Sequence, residues 1–434
     1  MRSATPLADA YFGGALAAEG RFMLVGSPQQ AGFRGLGQLF ELNGGAATLV
    51  STLAPADGAI GDRLGYAAAM DAQALVLGAP YRASGTGAVR VYARDAQGRA
   101  SSLDTLVSPD PVAGDQFGAS VAVSGEWLFV GEISDDGAAG VNQGAVQVFR
   151  RGADGRFAPH AKLVCPEAQA NKFFGMALAT DGARLVVGAR LSDNAGIIES
   201  GGAWVYEIGA SGPLEPPVRL QPSAPGTYDW FGQAVALEGD RVVVGACRDT
   251  VGKTDSQGSV RIFRRTPKGQ WPETAVIVNP TGASLDRFGT AVAIRNGVVA
   301  VGADGEDRNG IESAGTVRTL VEQGGAWTTT RFIELASPTL NQYLGFTVAF
   351  ADGHLVSGAP KRQVAGGPLR EGVVGVLPIA APCPADLDAS GAVDAADLAQ
   401  LLAQWGAVGT ADLDGSGAVD AADLAALLAA WGPC

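Results

Sequence analysis

Apolar positions along this chain fall into short alternating runs, cut by glycine-containing turns, and the runs return in register. An F-G or L-G pair opens a short apolar stretch, a tight turn follows, and a second apolar stretch ends in V-G-A-P or a variant. The pairs start at Phe12, Leu64, Phe117, Phe174, Phe231, Phe288 and Leu344, at spacings of 52 to 57 residues. In the fourth repeat FGMALAT reads as one strand, ARLVVGA as a second, GGAWVYEI as a third and PVRL as a fourth. The alternation within these runs marks strands with one buried face. The turn between first and second strands is expected at Glu19-Gly20, Asp71-Ala72, Ser124-Gly125, Asp181-Gly182, Glu238-Gly239, Asn296-Gly297 and Asp352-Gly353. Asp-Gly and Asn-Gly among these tolerate the positive φ that two-residue hairpin turns need. Four antiparallel strands repeated seven times predict a mainly β fold, a seven-bladed β-propeller over residues 1–380, with the Ala- and Gly-rich first strands innermost. A β-sandwich gives no reason for so regular a period.

The pattern changes in the tail, over residues 383–434. Leu398, Leu401, Leu402 and Trp405 fall at i, i+3, i+4 and i+7, and Leu424, Leu427, Leu428 and Trp431 repeat this 26 residues later. Each set is an apolar stripe on one helix face, and two equal faces can bury one another. Before each stripe stands an acidic loop, DLDASGAVDAAD at 386–397 and DLDGSGAVDAAD at 412–423. The first places Asp386, Asp388, Ser390, Asp394 and Asp397 at positions 1, 3, 5, 9 and 12, with the Ala392 carbonyl at 7. The second does the same with Asp412, Asp414, Ser416, Asp420, Asp423 and the Ala418 carbonyl. Those are the oxygen-ligand positions of an EF-hand loop, with Gly391 and Gly417 at the sharp turn. Hard oxygens in this pattern suit Ca²⁺, so two calcium sites are expected, in a small α-helical EF-hand-like domain.

Charge sharpens this reading. The net charge is −13, and eight aspartates lie between Asp386 and Asp423 with no Lys or Arg beyond Arg370. Such a segment repels itself unless cations relieve it. No basic cluster exists to neutralise phosphates, so a nucleic-acid partner is not expected. No apolar run reaches the length of a membrane span, and no signal peptide precedes Phe12. Cys383 and Cys434 bracket the acidic tail, and a disulfide clasp between them suits an oxidising compartment, while Cys165 and Cys247 are expected as free, partly buried thiols.

The ring poses a question of closure. A fourth-strand leucine precedes the F-G pair by eleven positions at Leu106, Leu163 and Leu220, and the same count back from Phe12 lands on Met1. The seventh repeat has a third strand, GVVGVLPIA, but then runs into Ala381-Pro382-Cys383. The expectation is a precursor that extends upstream and supplies a closing strand and an export signal.

The seven repeats resemble the FG-GAP repeat family, best known from the propellers of integrin α subunits, with G-A-P intact at Gly78-Ala79-Pro80 and Gly358-Ala359-Pro360. Integrin-type calcium loops between first and second strands are not carried over, because tight turns stand there. The acids after the second strands, Asp135-Asp136, Asp193 and Asp304-Glu306-Asp307, read as solvated loop residues without a shared spacing. The tail resembles a dockerin, the module that docks extracellular proteins onto cohesins. The resemblance implies partner contacts at Ala395 and Ala396 with Leu398, and at Ala421 and Ala422 with Leu424. The flanking cysteines and the final Trp431-Gly432-Pro433-Cys434 are closer to GC-type dockerins of bacterial surface proteins, which implies docking or an anchoring signal. Catalytic signatures are absent: His160 and His354 lie in different repeats, read as loop or strand-end residues, and no nucleophile elbow, phosphate loop or H-E-x-x-H helix occurs. The FG-GAP resemblance implies that catalysis, where present, sits on a separate domain. The sequence therefore predicts a monomeric, secreted or cell-surface, non-catalytic display protein. Its propeller carries a protein or glycan ligand, and its tail tethers it to a cohesin-like or cell-envelope partner. The alternatives are a polysaccharide-active propeller enzyme, with a carboxylate pair in the funnel, and a structural adhesion protein.

Overall fold

The structure, a computed structural model, describes residues 1–138, 140–167, 169–378, 385, 387, 392–407, 409, 411–414 and 416–433. Seven antiparallel sheets follow one another along the chain, five of them ordered first to fourth strand. Blade 3 is representative, with strands Phe117–Ser124, Trp127–Glu132, Ala145–Arg151 and Phe157–Val164. Two blades depart from it. In blade 4 the outer strand is split, Gly212–Pro213 and Val218–Leu220 both pairing with Gly202–Gly209. Blade 7 has three strands, Thr347–Ala351, His354–Ala359 and Val373–Pro378.

The turns sit partly as expected. Asn296-Gly297 and Asp352-Gly353 link Arg295↔Val298 and Ala351↔His354. Elsewhere the loop slides by one, to Gly20-Arg21, Gly125-Glu126 and Gly239-Asp240, because the preceding residue still pairs across the ladder. In blades 2 and 4 the loop widens to four residues, between Met70↔Leu75 and Thr180↔Leu185.

The repeated motif is the joint between blades. A Cβ on the glycine of each G-A end would lie on the F-G glycine of the next blade: added to Gly78 it would stand 1.9 Å from the Gly118 carbonyl oxygen, to Gly245 2.0 Å from that of Gly289, and to Gly358 2.2 Å from that of Gly13. No side chain fits such a contact, so both motif glycines are required by close approach of backbones. The Phe or Leu of each pair is fully buried beneath this joint. Its burial contributes roughly 2–3 kcal/mol. Four of these rings meet a third-strand aromatic edge-on, as Phe117 meets Phe149 at 5.9 Å, a favoured arrangement.

Hydrophobic cores lie between neighbouring blades, seven in all among the described residues. One of them joins Phe12, Met23 and Val25 of blade 1 to Ala351, Val356 and Val374 of blade 7, so the ring is closed. Met1 lies against the outer strand of blade 7, its ammonium donating to the Val374 carbonyl at 2.8 Å and its carbonyl accepting from the Val374 amide at 2.9 Å. That is the place reached by counting back eleven residues from Phe12.

In the tail, helices Ala395–Ala403 and Ala421–Ala429 are each capped by the aspartate before them, Asp394 and Asp420, in a reciprocal capping box with Asp397 and Asp423. This satisfies backbone donors at each helix start. The two units then exchange backbone: Ala392–Val393 pairs with Gly432–Pro433, and Val419 bonds Gly406 and Ala407. Val393, Leu401, Val419 and Leu427 form the core between them. The expected mutual burial holds for part of each stripe only. Leu402, Trp405, Leu428 and Trp431 remain exposed, because nine-residue helices cover each other over little more than one turn. No helix among the described residues is long and apolar enough to cross a membrane.

Candidate functional site

Three places gather chemistry. The first is the second acidic loop. Asp412, Asp414 and Asp423 bring carboxylate oxygens within 4.8 Å of one another. Asp412 accepts the amides of Ser416 at 3.0 Å and Gly417 at 2.8 Å, which curls the loop around its side chain. Gly417 takes φ 101°, a conformation that disfavours a side chain. Asp423 is buried and accepts from Leu413 at 2.6 Å, Asp414 at 3.1 Å and Asp420 at 2.8 Å. The Asp420 amide, with those of Asp414 and Leu413, holds the Asp423 carboxyl below the ordinary range.

The remaining expected ligands are placed differently. Asp420 turns its carboxylate to the Ala422 amide at 2.7 Å, and the Ser416 hydroxyl donates to the Ala418 carbonyl at 3.2 Å. In the first loop Asp394 and Asp397 repeat the work of Asp420 and Asp423. Asp386, Asp388 and Ser390 lie outside the described residues, as do Cys383 and Cys434, and Ala392 is described in its backbone alone. Ala395, Ala396, Ala421 and Ala422 are exposed, with Leu398 and Leu424 half-buried beside them.

The second place is a buried carboxylate group in blade 3, and it corrects the expectation that Asp135 is a solvated loop residue. Asp115, Glu132 and Asp135 are all buried, with oxygens within 4.8 Å of one another. Glu132 Oε2 accepts from Gln147 at 2.8 Å, while Oε1 has no hydrogen-bond partner among the described residues. Lys162 is the nearby cation, at 2.7 Å from Asp135 and 2.6 Å from Asp110. Burial pushes Glu132 up to about 7, and burial with the charges of Asp135 and Asp136 pushes Asp115 up to about 6. The signal was present in the chain: Glu132 stands where blades 2, 4, 5, 6 and 7 have alanine. The neighbouring acids do share a spacing, which corrects the expectation of scatter. Asp136, Asp193 and Asp307 are separated by 57 and 114 residues, and each accepts the amide six residues on, at Asn142, Glu199 and Ser313.

The third place is the mouth of the central channel, on the face where first strands begin and second strands end. The residue before each F-G or L-G pair adopts a left-handed backbone: Tyr11, Arg63, Gln116, Phe173, Trp230, Arg287 and Tyr343, with φ between 52° and 60°. Such a φ is costly for bulky side chains, and it recurs here once per blade. Arg190 and Arg248 stack on Trp230 at 4.6 and 3.9 Å, Arg63 on Tyr81 at 4.3 Å, and Lys361 lies over Tyr343 at 4.8 Å. Arg287 meets Asp304 at 3.1 Å. Burial raises Asp304 to about 6 against the opposing pull of Arg287, and raises the Cys247 thiol to about 12. Cys165 and Cys247 are both free and buried. His160 lies within the fourth strand of blade 3, bonded to the Ser211 carbonyl at 2.7 Å, and His354 begins a strand and bonds the Asp352 carbonyl at 2.6 Å.

The chain carries four FG-GAP repeats, matched at residues 101–149, 158–206, 218–263 and 271–317. No curated protein matches the chain. Among solved structures it is similar to a "putative 6-phosphogluconolactonase" from Bacteroides uniformis, at 14% identity and a TM-score of 0.49, over 78% of this chain and 89% of that one. It is also similar to a protein from Lactobacillus plantarum, at 14% identity and a TM-score of 0.47, over 75% of this chain and 86% of that one. The first name corrects the expectation that the chain is no enzyme, and the non-catalytic assignment is withdrawn. At this level the likeness carries no substrate or reaction over to this chain.

Proposed function

We propose that this chain is a propeller binding platform joined to a calcium-ordered, dockerin-like module that docks it onto a secreted or cell-surface partner. The observation that carries the reading is the convergence of Asp412, Asp414 and Asp423 in a loop whose residue types are repeated 26 positions earlier. Three carboxylates this close repel one another by about 1 kcal/mol per pair in water and several-fold more where half-buried. No Lys or Arg follows Arg370 to relieve them. Asp412, Asp414, Ser416, the Ala418 carbonyl, Asp420 and Asp423 fit one calcium ion by donor type, and Asp386, Asp388, Ser390, the Ala392 carbonyl, Asp394 and Asp397 a second. Calcium supplies the missing positive charge. The chain's own part is to hold Asp423 ionised through backbone amides, and to tie each loop to the segment that follows the opposite helix through Val393 and Val419.

Docking then falls to the two matched faces at Ala395-Ala396 and Ala421-Ala422, with the exposed Trp405 and Trp431 on the same small module. A cohesin-like or cell-envelope protein is the partner this reading implies. The test is capture by the full chain from extracellular and envelope fractions, with calcium and with EGTA. Retention of one partner with calcium alone supports docking. Equal retention in EGTA, or none in either, contradicts it.

A further inference from the structure

The chain is acidic overall, at −13, yet of Arg63, Arg190, Arg248, Arg287 and Lys361 at the channel mouth, Arg287 alone has an ion pair among the described residues, with Asp304. These groups come from blades 2, 4, 5, 6 and 7 and act on one another across the opening. Tyr66 of blade 2 feels the charge of Arg190, and Tyr11 of blade 1 feels both Arg287 and Asp304. Aromatic faces hold the cations in place: Arg190 and Arg248 both stack on Trp230, and Lys361 lies over Tyr343 at 4.8 Å and Tyr11 at 6.0 Å. Stacked guanidinium groups keep their N–H edges free for an acceptor. One terminal nitrogen of Arg190 donates to Gln233 at 2.8 Å, while its buried Nε has no hydrogen-bond partner among the described residues. Tyr11, Arg63, Trp230, Arg287 and Tyr343 of this group are among the seven left-handed residues that stand just before the F-G or L-G pairs, a backbone that is costly for bulky side chains. Structural ion pairing does not explain the excess, since Asp304 is matched to Arg287 and Glu199 reaches the Trp230 indole at 3.4 Å.

We propose that the channel mouth binds a small organic anion, its carboxylate or phosphate groups held by Arg190, Arg248 and Lys361 and its body lying against Trp230, Tyr11 and Tyr343. Converging cations in a low-dielectric funnel concentrate anions there despite the net negative charge. Aromatic walls with a few placed charges are the usual makeup of a small-ligand site. The proposal is independent of the tail and stands whether or not calcium binds there.

The experiment titrates the full chain with citrate and, separately, inorganic phosphate at low ionic strength, by calorimetry and by tryptophan emission. One saturable site per chain is expected, with an emission change that Trp230→Phe removes. Citrate binding assigns carboxylate, phosphate binding assigns phosphate, and binding of both assigns charge alone; each supports the site. The double variant Arg248→Gln/Lys361→Gln weakens binding at least ten-fold, as loss of charge-assisted bonds requires. Arg99→Gln removes an exposed charge paired with Asp95, in the loop between third and fourth strands of blade 2, and leaves binding unchanged. Two results overturn the proposal: no saturable binding of either probe, or equal binding by the wild type and the double variant.

Discussion

Glu132→Gln tests the buried carboxylate group most sharply. The wild-type carboxyl titrates near 7 in the folded protein against 4.5 for an unperturbed one. A raised folded pKa means that the folded state holds the proton more tightly. Stability from this group is therefore complete below pH 4.5, falls as pH rises towards 7, and stays low above it. A difference of about 2.5 pH units corresponds to at most about 3 kcal/mol. The realised effect is smaller than this, because Asp115 shares the site and is itself raised to about 6. Glutamine mimics the protonated acid, and its carbonyl still accepts from Gln147. In urea unfolding with EDTA present, the variant and the wild type match within about 1 kcal/mol at pH 5. At pH 8 the variant is more stable by about 2 kcal/mol, the upper figure discounted for that coupling. Parallel profiles, or a variant equally destabilised at both values, would refute the burial argument.

The blade joint and the tail core give two further expectations. Gly245→Ala forces a Cβ to within 2.0 Å of the Gly289 carbonyl and costs about 3 kcal/mol or more. Gly239→Ala, at φ 52° with open space around it, costs about 1 kcal/mol, so the pair separates clash from conformation in the same urea assay; equal losses would remove the joint as the reason for the motif. Leu401→Ala empties a fully buried site and costs about 2–4 kcal/mol. Limited proteolysis should then cut within residues 385–433 while the blades stay intact, and an unchanged digestion pattern would deny the tail its core.

What was legible in the chain follows from repetition. Seven copies of F-G and G-A multiply a weak strand signal, so blade count, strand order and Met1's place beside blade 7 could be read from spacing. The chemistry of the mouth could not, because Tyr66 and Arg190 are 124 residues apart and meet only when the ring closes. Glu132 was visible as a departure from alanine, but its burial with Asp115 and Asp135 depends on how the loop before Phe117 folds back. The shared role of Asp136, Asp193 and Asp307 was obscured because blade 5 has Thr250 in that column. The helix stripes predicted burial of Trp405 and Trp431, but two short helices offer too little surface to cover them.

Calcium titration of the full chain by calorimetry, with and without Asp412→Ala/Asp414→Ala, bears most directly on the account. Two ions per wild-type chain and one per variant chain are predicted. No calcium-dependent heat, or two ions in both proteins, would contradict the reading of the tail.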